Sequence, residues 1–403
     1  MLVARFLLEM SGISDLPLHD GHVPKWLLAY MEKLASAILK VMYEIHGPDK
    51  IIEYFSDPLW FQAFNNVIGM DWDSSGSTTV VTAVVKKITW KEDLGFLVLG
   101  GKGEHSKEVV DEIPLAVKRL SLGEDFIDKM RLVSRIGAKI DSVLLQDGYT
   151  LYHHALFISE RGGWTIIQQG MKPSIKMARR YHLNHMTADL TKLLDPHSGV
   201  ASNNIENPLN LVDNDSLTVR GVIEDLLKED VSKIIKMIRE VNALLKGLKS
   251  LNEYTKLTRH LENKRTYFEK KIFSIPYYRP INITDEMIKA LNEAQLKGAE
   301  KISEILQIKG FGPETMRALT LVADLIFNTP PSNRDPVTHP IDPFKYSYAH
   351  GGKDGVPYKV RRDLLEKTIL TLEEAVERAK IGDHEKMKML NRLAQLSRYV
   401  LDV

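Results

Sequence analysis

Two apolar segments on either side of a short turn constrain the fold most strongly. Residues 150–159 (TLYHHALFIS) and 164–169 (WTIIQQ) are rich in β-branched and aromatic residues. The four residues between them, Glu160-Arg161-Gly162-Gly163, have the composition of a turn. This pattern predicts an antiparallel β-hairpin, and therefore a sheet that includes it.

Most of the remaining chain carries apolar residues at helical spacing. We predict helices over 26–45, 59–68, 80–88, 124–140, 217 to about 273, 285–306 and 362–401, and a short strand at 96–99. Residues 196–215 are rich in Pro, Asn and Ser, as interdomain linkers are. The sequence thus predicts a predominantly helical α+β fold, with an N-terminal α/β domain (1–195) containing a small antiparallel sheet, a linker (196–215) and a C-terminal helical domain (216–403).

The charge balance limits how the chain can meet a polyanion. Lys and Arg number 54 against 53 Asp and Glu, a net charge of +1, so a nucleic-acid site would have to be a local patch. Cysteine is absent, which excludes disulfides and Cys-based zinc sites. Without a bilayer-length apolar run or a signal peptide, we expect a soluble cytoplasmic protein with no membrane partner. The oligomeric state is left open.

A Gly-x-Gly turn at 310–312 is flanked by two segments with helical periodicity. Pro313 suits the first position of the second helix. Gly310 and Gly312 allow positive φ and a close approach of the backbone to a ligand. The amides of the turn and of the second helix could then hold one phosphate. The alternative is an ordinary Gly-capped turn, and Glu314 would compete with an incoming phosphate.

This segment, Leu306-x-x-Lys309-Gly310-Phe311-Gly312-Pro313-x-Thr315, resembles the helix-hairpin-helix of DNA repair and replication proteins. That motif grips the DNA backbone without reading bases, and the resemblance places it at 285–327. It implies DNA contacts from Lys309, Gly310, Phe311, Gly312, Thr315 and Arg317.

A second basic segment follows the predicted β-hairpin. Between 172 and 182 the positive groups include Lys172, Lys176, Arg179 and Arg180. Such a density of cations suits a phosphate backbone. A solvated basic face is the alternative.

The C-terminal part also resembles the helix-hairpin-helix DNA glycosylases, whose catalytic Asp lies a little over twenty residues past the hairpin. Asp335 lies 335 − 310 = 25 positions after Gly310. The resemblance implies that Asp335 stabilises the cationic sugar or activates the nucleophile, with Trp72 or Tyr348 stacking on an extruded base. Glu314 stands where the bifunctional enzymes carry a lysine. The alternative for Asp335 is a turn or capping aspartate.

Two other chemistries remain open. The order of Asp141 or Asp147, a hairpin ending in Gln168-Gln169, and Lys172 is similar to that of metal-dependent restriction-type nucleases, which would imply Mg²⁺ held by acidic ligands. Lys102, within Gly100-Gly101-Lys102-Gly103 between a strand and a helix, could instead bind the anion of a phosphorylated small molecule.

Four motifs along nearly the whole chain resemble an archaeal and bacterial family known as a domain of unknown function. They are Leu16-Pro17-Leu18-His19-x-Gly21-x-x-Pro24-Lys25-Trp26-Leu27, Asp57-Pro58-x-Trp60-Phe61-Gln62, Gly100-Gly101-Lys102-Gly103 and Tyr348-Ala349-His350-Gly351-Gly352-Lys353-Asp354-Gly355. The function we predict is a DNA-binding protein of repair or processing, anchored by the hairpin and acting as a glycosylase-like enzyme or a nuclease. The alternative is a non-catalytic DNA- or RNA-binding module or repair scaffold.

Overall fold

The structure is a computed structural model that describes residues 23–70, 75–202, 204–245 and 276–338. Several sequence predictions lie outside the described residues. These are the motif residues at 16–22 and 348–355, the stacking candidates Trp72 and Tyr348, the helical segment from 246 to about 273 and the helix at 362–401.

The strands of the described chain are β1 Phe96–Lys102, β2 Leu145–Gln146, β3 Thr150–Ser159, β4 Trp164–Lys172, β5 Met177–Asn184, β6 His197–Ala201 and β7 Leu209–Asn210. Five of them form an antiparallel sheet in the order β1-β3-β4-β5-β6, which organises the described chain. The hairpin predicted from sequence is confirmed as β3 and β4, joined by the turn at 160–163. The two-residue strands β2 and β7 form a separate antiparallel pair.

Three helices cover one face of the sheet: α1 (Lys25–Phe55), α2 (Pro58–Val67) and α3 (Ser75–Lys91). Alternate strand residues such as Val98 and Phe157 pack against them, as the two-residue period of a strand requires. Asp57 caps α2 by accepting from the amides of Leu59 and Trp60. The helix predicted at 26–45 continues to Phe55 through a kink at Gly47, where φ is 75°.

The other face is covered by helices from both halves of the chain, which share one apolar core running from Leu97 to Ala323. The segment predicted as a linker supplies edge strand β6 and strand β7. The division of the chain at 196–215 stays a prediction. None of the described helices is long and apolar enough to cross a membrane. The helices on this face are α4 Val109–Arg119, α5 Asp125–Lys139, α6 Leu217–Leu226, α7 Val231–Leu245, α8 Asp285–Leu296, α9 Ile302–Ile305 and α10 Pro313–Leu325, with a π-helical turn at Ile140–Leu144.

The region around the Gly-x-Gly turn differs from the sequence prediction in two respects. The single helix predicted over 285–306 is two helices, α8 and the four-residue α9, because the chain turns at Gly298 with a φ of 62°. Gly310 has a φ of 82°, but Gly312 is extended at φ −114° and ψ −175°. Only the first glycine therefore uses the left-handed region.

Candidate functional site

The sheet has an apolar end and a polar end. Past the apolar residues 155–158 of β3 and 166–167 of β4, polar residues face each other across the pairing. His154 pairs with Gln168, which pairs with Tyr181, and in the neighbouring row His153 pairs with Gln169, which pairs with Arg180. All six side chains are buried. Buried polar groups need hydrogen-bond partners, so this end of the sheet must carry an internal network.

On the face that packs against α5, the network is a chain of hydrogen bonds that begins at Ser134. The Ser134 Oγ lies 2.9 Å from His154 Nε2, and His154 Nδ1 lies 2.9 Å from Gln168 Oε1. Gln168 Nε2 donates to the carboxylate of Asp141 and to a backbone carbonyl. Asp141 Oδ1 lies 2.6 Å from His197 Nε2. We call these five residues the polar relay.

On the opposite face, His153 lies against α3. Its Nε2 is 3.1 Å from Thr82 Oγ1, and its Nδ1 has no partner among the described residues. Burial, helped by the nearby His154 and Lys102, lowers the pKa of His153 to about 3. Its imidazole is therefore neutral at physiological pH.

Beside the polar relay, Asp147 and Asp335 converge on Arg179. Arg179 Nη1 donates to Asp147 at 2.9 Å, and Nη2 donates to Asp335 at 2.8 Å. Tyr181 also donates to Asp147, at 2.7 Å. Burial raises the pKa of Asp147, although Arg179 and Tyr181 oppose that rise. The structure thus brings both predicted catalytic acids together, but with a guanidinium between their carboxylates.

Among the residues predicted to bind nucleic acid, the three arginines differ from the lysines in their burial. Arg179, Arg180 and Arg317 are all buried, so they do not offer their charges to an external polyanion. Lys172 pairs with Glu206 at 2.7 Å, and Lys176 is exposed. The basic segment does not form one surface, because successive residues of a strand point to opposite faces.

A cleft of about 320 Å³ opens above the start of the polar relay. Three of its lining residues, Lys107, Arg131 and Arg135, are cationic. Arg135 has no acidic partner among the described residues. Arg131 Nη1 lies 3.5 Å from the Asp128 carboxylate, and its buried Nε has no hydrogen-bond partner among those residues. The other lining residues are Ser106, Val110, Ser134, Ala138, Leu151, Tyr152, His153, His154 and Gln168. We call this the basic cleft.

The Gly-x-Gly turn lies at the C-terminal end of α5. Lys139 Nζ donates to the Phe311 carbonyl at 2.6 Å. The Phe311 ring is buried and its amide donates to the Ile308 carbonyl at 3.3 Å. No acceptor among the described residues takes the amides of Gly310 or Gly312, and Lys309 is exposed. Two amides of the turn are therefore without an acceptor in the described part of the chain.

Of the remaining predicted site residues, Thr315 is buried in the first turn of α10. Lys102 is exposed at the end of β1, with its Nζ 6.0 Å from the ring centroid of Tyr152 in the basic cleft.

Sequence reasoning did not single out Ser134 and His154, or the cations of α5. A signal for each was present. The turn at 160–163 fixes the pairing of His154 with Gln168, two polar residues directly after apolar runs. Arg131, Arg135 and Lys139 recur every four residues, which places them on one face of a helix.

No group of three His, Asp or Glu side chains arranged to hold a metal ion occurs within the described ranges. No curated protein and no solved structure matches the chain. A family model described as a protein of unknown function (DUF763) matches residues 12–360, which include the polar relay, the basic cleft and the Gly-x-Gly turn. The chain therefore belongs to the DUF763 family of proteins of unknown function.

Proposed function

We propose that this protein binds DNA along a surface formed by the Gly-x-Gly turn and the basic face of α5, and that it serves in DNA repair or processing. The observation that carries the proposal is the hydrogen bond from Lys139 to the Phe311 carbonyl, because it joins the two features. The surface consists of Arg131, Arg135 and Lys139 on α5 with residues 309–312 of the turn.

The turn supports the proposal through its amides. Those of Gly310 and Gly312 have no internal acceptor among the described residues and lie ahead of the N-terminus of α10. Such a position favours a phosphate through both hydrogen bonds and the helix dipole. Glu314 is the residue expected to oppose this. Its carboxylate is held by Arg279 and Arg317, which reduces its repulsion of an anion.

The basic face of α5 supports the proposal through its length. From Arg131 to Lys139 the helix rises about 12 Å. Phosphates of one DNA strand are spaced about 3.4 Å apart along the axis, so this face can meet several of them. Contacts of this kind position a protein on nucleic acid without reading its sequence.

Removal of single cations tests the surface. Arg135→Ala and Lys309→Ala should each weaken duplex binding and reduce the slope of log affinity against log salt by about 1. Lys129→Ala is the matched control, since Lys129 lies on another face of α5, 4.7 Å from the Phe126 ring centroid. Fluorescence anisotropy with a labelled duplex gives both quantities. Equal affinities and slopes for all three variants and the wild type would contradict the proposal.

A substrate panel separates an enzyme from a non-catalytic module. The full chain is incubated with duplexes that contain uracil, hypoxanthine, oxidised guanine or an abasic site, and with single-stranded DNA and RNA, with and without Mg²⁺. Excision or cutting would support the processing enzyme. Salt-dependent binding without turnover would support the alternative, a repair scaffold. The ion pairs of Arg179 favour this alternative, because its guanidinium lies between the carboxylates of the two predicted catalytic acids, Asp147 and Asp335.

A further inference from the structure

Ser134 belongs both to the polar relay and to the wall of the basic cleft. We propose that Ser134 is the nucleophile of a phosphodiester-transfer site in this cleft, with His154 as its general base. The assignment of a nucleic-acid phosphodiester as the natural substrate rests on the proposed function. The reactivity proposed for Ser134 does not depend on that function.

The hydrogen bonds of Gln168 fix the orientation of the base. Gln168 Nε2 donates to the Asp141 carboxylate and to the Gly137 carbonyl, both of which can only accept. Gln168 Oε1 is then the atom that faces His154, so His154 Nδ1 carries the proton and donates to it. The lone pair of His154 Nε2 therefore points at the Ser134 hydroxyl.

The same contacts keep the base in the form that accepts a proton. Burial lowers the pKa of His154, although Gln168 and Asp141 oppose that change, so the imidazole is neutral near pH 7. A nucleophile bonded to a base whose other nitrogen is held by a third group is the arrangement used in serine hydrolases. Here the third group is an amide, which orients the imidazole without adding charge.

The cleft favours phosphate over a carboxylic ester. Lys107, Arg131 and Arg135 line it, and no Asp or Glu is among its described lining residues. Lys107 and Arg131 pair with Glu104 and Asp128 outside the lining, so Arg135 is the lining cation without an acidic partner among the described residues. Its volume of about 320 Å³ lies at the small end of the roughly 300–1,000 Å³ range of ligand pockets. Cations placed around a transferring phosphoryl group stabilise the charge of the transition state.

The step balances without a co-reactant other than water. The Ser134 Oγ forms a bond to phosphorus while His154 Nε2 takes the hydroxyl proton. The bond from phosphorus to the leaving oxygen breaks, and that oxygen receives the proton. Water, deprotonated by the same imidazole, then attacks phosphorus and releases Ser134 Oγ with its proton restored.

Turnover of a small phosphodiester tests the nucleophile. The full chain is incubated with bis(p-nitrophenyl) phosphate, and the released nitrophenolate is followed with time. Ser134→Ala and His154→Asn should each lower the rate by roughly 10³-fold or to background. Ser142→Ala, whose hydroxyl bonds only to the Ala138 carbonyl among the described residues, should keep the wild-type rate. Far-UV circular dichroism checks that each variant is folded.

The absence of cysteine from the chain allows a second measurement. Ser134→Cys provides a single thiol, and its alkylation by iodoacetamide reports access and activation. Alkylation should be about ten-fold faster than in the double variant Ser134→Cys/His154→Asn, because His154 favours the thiolate. Inorganic phosphate should slow it by occupying the basic cleft.

The outcomes separate this inference from the proposed function. If the wild type binds duplex DNA but releases no nitrophenolate, or if Ser134→Ala retains the wild-type rate, Ser134 is not a nucleophile while the DNA surface stands. If nitrophenolate release depends on Ser134 but no nucleic acid binds, the nucleophile stands and the DNA assignment fails. An alkylation rate that is independent of His154 overturns the role of the base.

Discussion

Arg317 is buried, and its guanidinium holds the segment before α8 against α10. It donates to the carbonyls of Tyr277, Arg279 and Pro280 and to the carboxylate of Glu314. Arg317→Met should lower the free energy of unfolding by about 3 kcal/mol, because it leaves several acceptors unpaired. Arg279→Ala removes only the exposed pair with Glu314 and should cost less than about 1 kcal/mol. Urea denaturation compares the two, and equal losses would contradict the structural role of Arg317.

His153 makes the stability of the fold depend on pH. Its pKa in the folded protein is about 3 because of burial, with His154 and Lys102 adding to the effect, whereas an unfolded chain has a value near 6.5. Between these two pKa values, His153 binds a proton in the unfolded state but not in the folded state. The free energy of unfolding therefore falls as the pH drops through this range. His153→Gln should lose less stability between pH 6.5 and 4.5 than the wild type, as measured by urea midpoints. His105→Gln, at an exposed position, should follow the wild-type curve.

At the level of elements, the two glycines of the turn have different roles. Gly310 has a φ of 82°, and an added Cβ would meet only an ordinary contact with Ala290 at 3.9 Å. Gly310→Ala should therefore cost about 1 kcal/mol through backbone strain alone. Gly312 is extended and has comparable space for a Cβ, so Gly312→Ala should leave the stability nearly unchanged. Thermal unfolding of the pair measures the difference, and a larger loss at Gly312 would refute this account of the turn.

Elements whose signals are local could be predicted from the sequence. The β3–β4 hairpin follows from two apolar segments rich in β-branched and aromatic residues around a Gly-containing turn, and α2 follows from Asp57 and Pro58 at its start. The burial of Arg179 and Arg180 could not be predicted from charge density, because it depends on which face of β5 each occupies and on what covers that face. The break between α8 and α9 was missed because helical periodicity continues through it.

At the scale of the whole molecule, the candidate site depends on contacts between residues far apart in the chain. Arg179 joins Asp147 to Asp335, and Lys139 reaches Phe311. A single sequence gives no signal for such pairs, since each depends on how β5, α5 and α10 pack in three dimensions. The individual residue types could therefore be proposed as site residues, but their grouping could not.

The shared core predicts how the two halves of the chain unfold. All five tryptophans lie before residue 165, so tryptophan fluorescence reports on the first half, while far-UV circular dichroism reports on helices throughout. Because residues on both sides of 196–215 pack in one core, the two probes should give the same urea midpoint.

Leu319→Ala, which removes a fully buried side chain from α10, should lower the free energy of unfolding by about 2–5 kcal/mol. It should also lower the fluorescence midpoint although no tryptophan is near it in sequence. Leu296→Ala, at a position that is 88% exposed, should move neither probe. If Leu319→Ala leaves the urea midpoint of tryptophan fluorescence unchanged, the two halves unfold as separate domains. In a cooperative core, the loss of packing would lower the midpoint measured by every probe of the folded state.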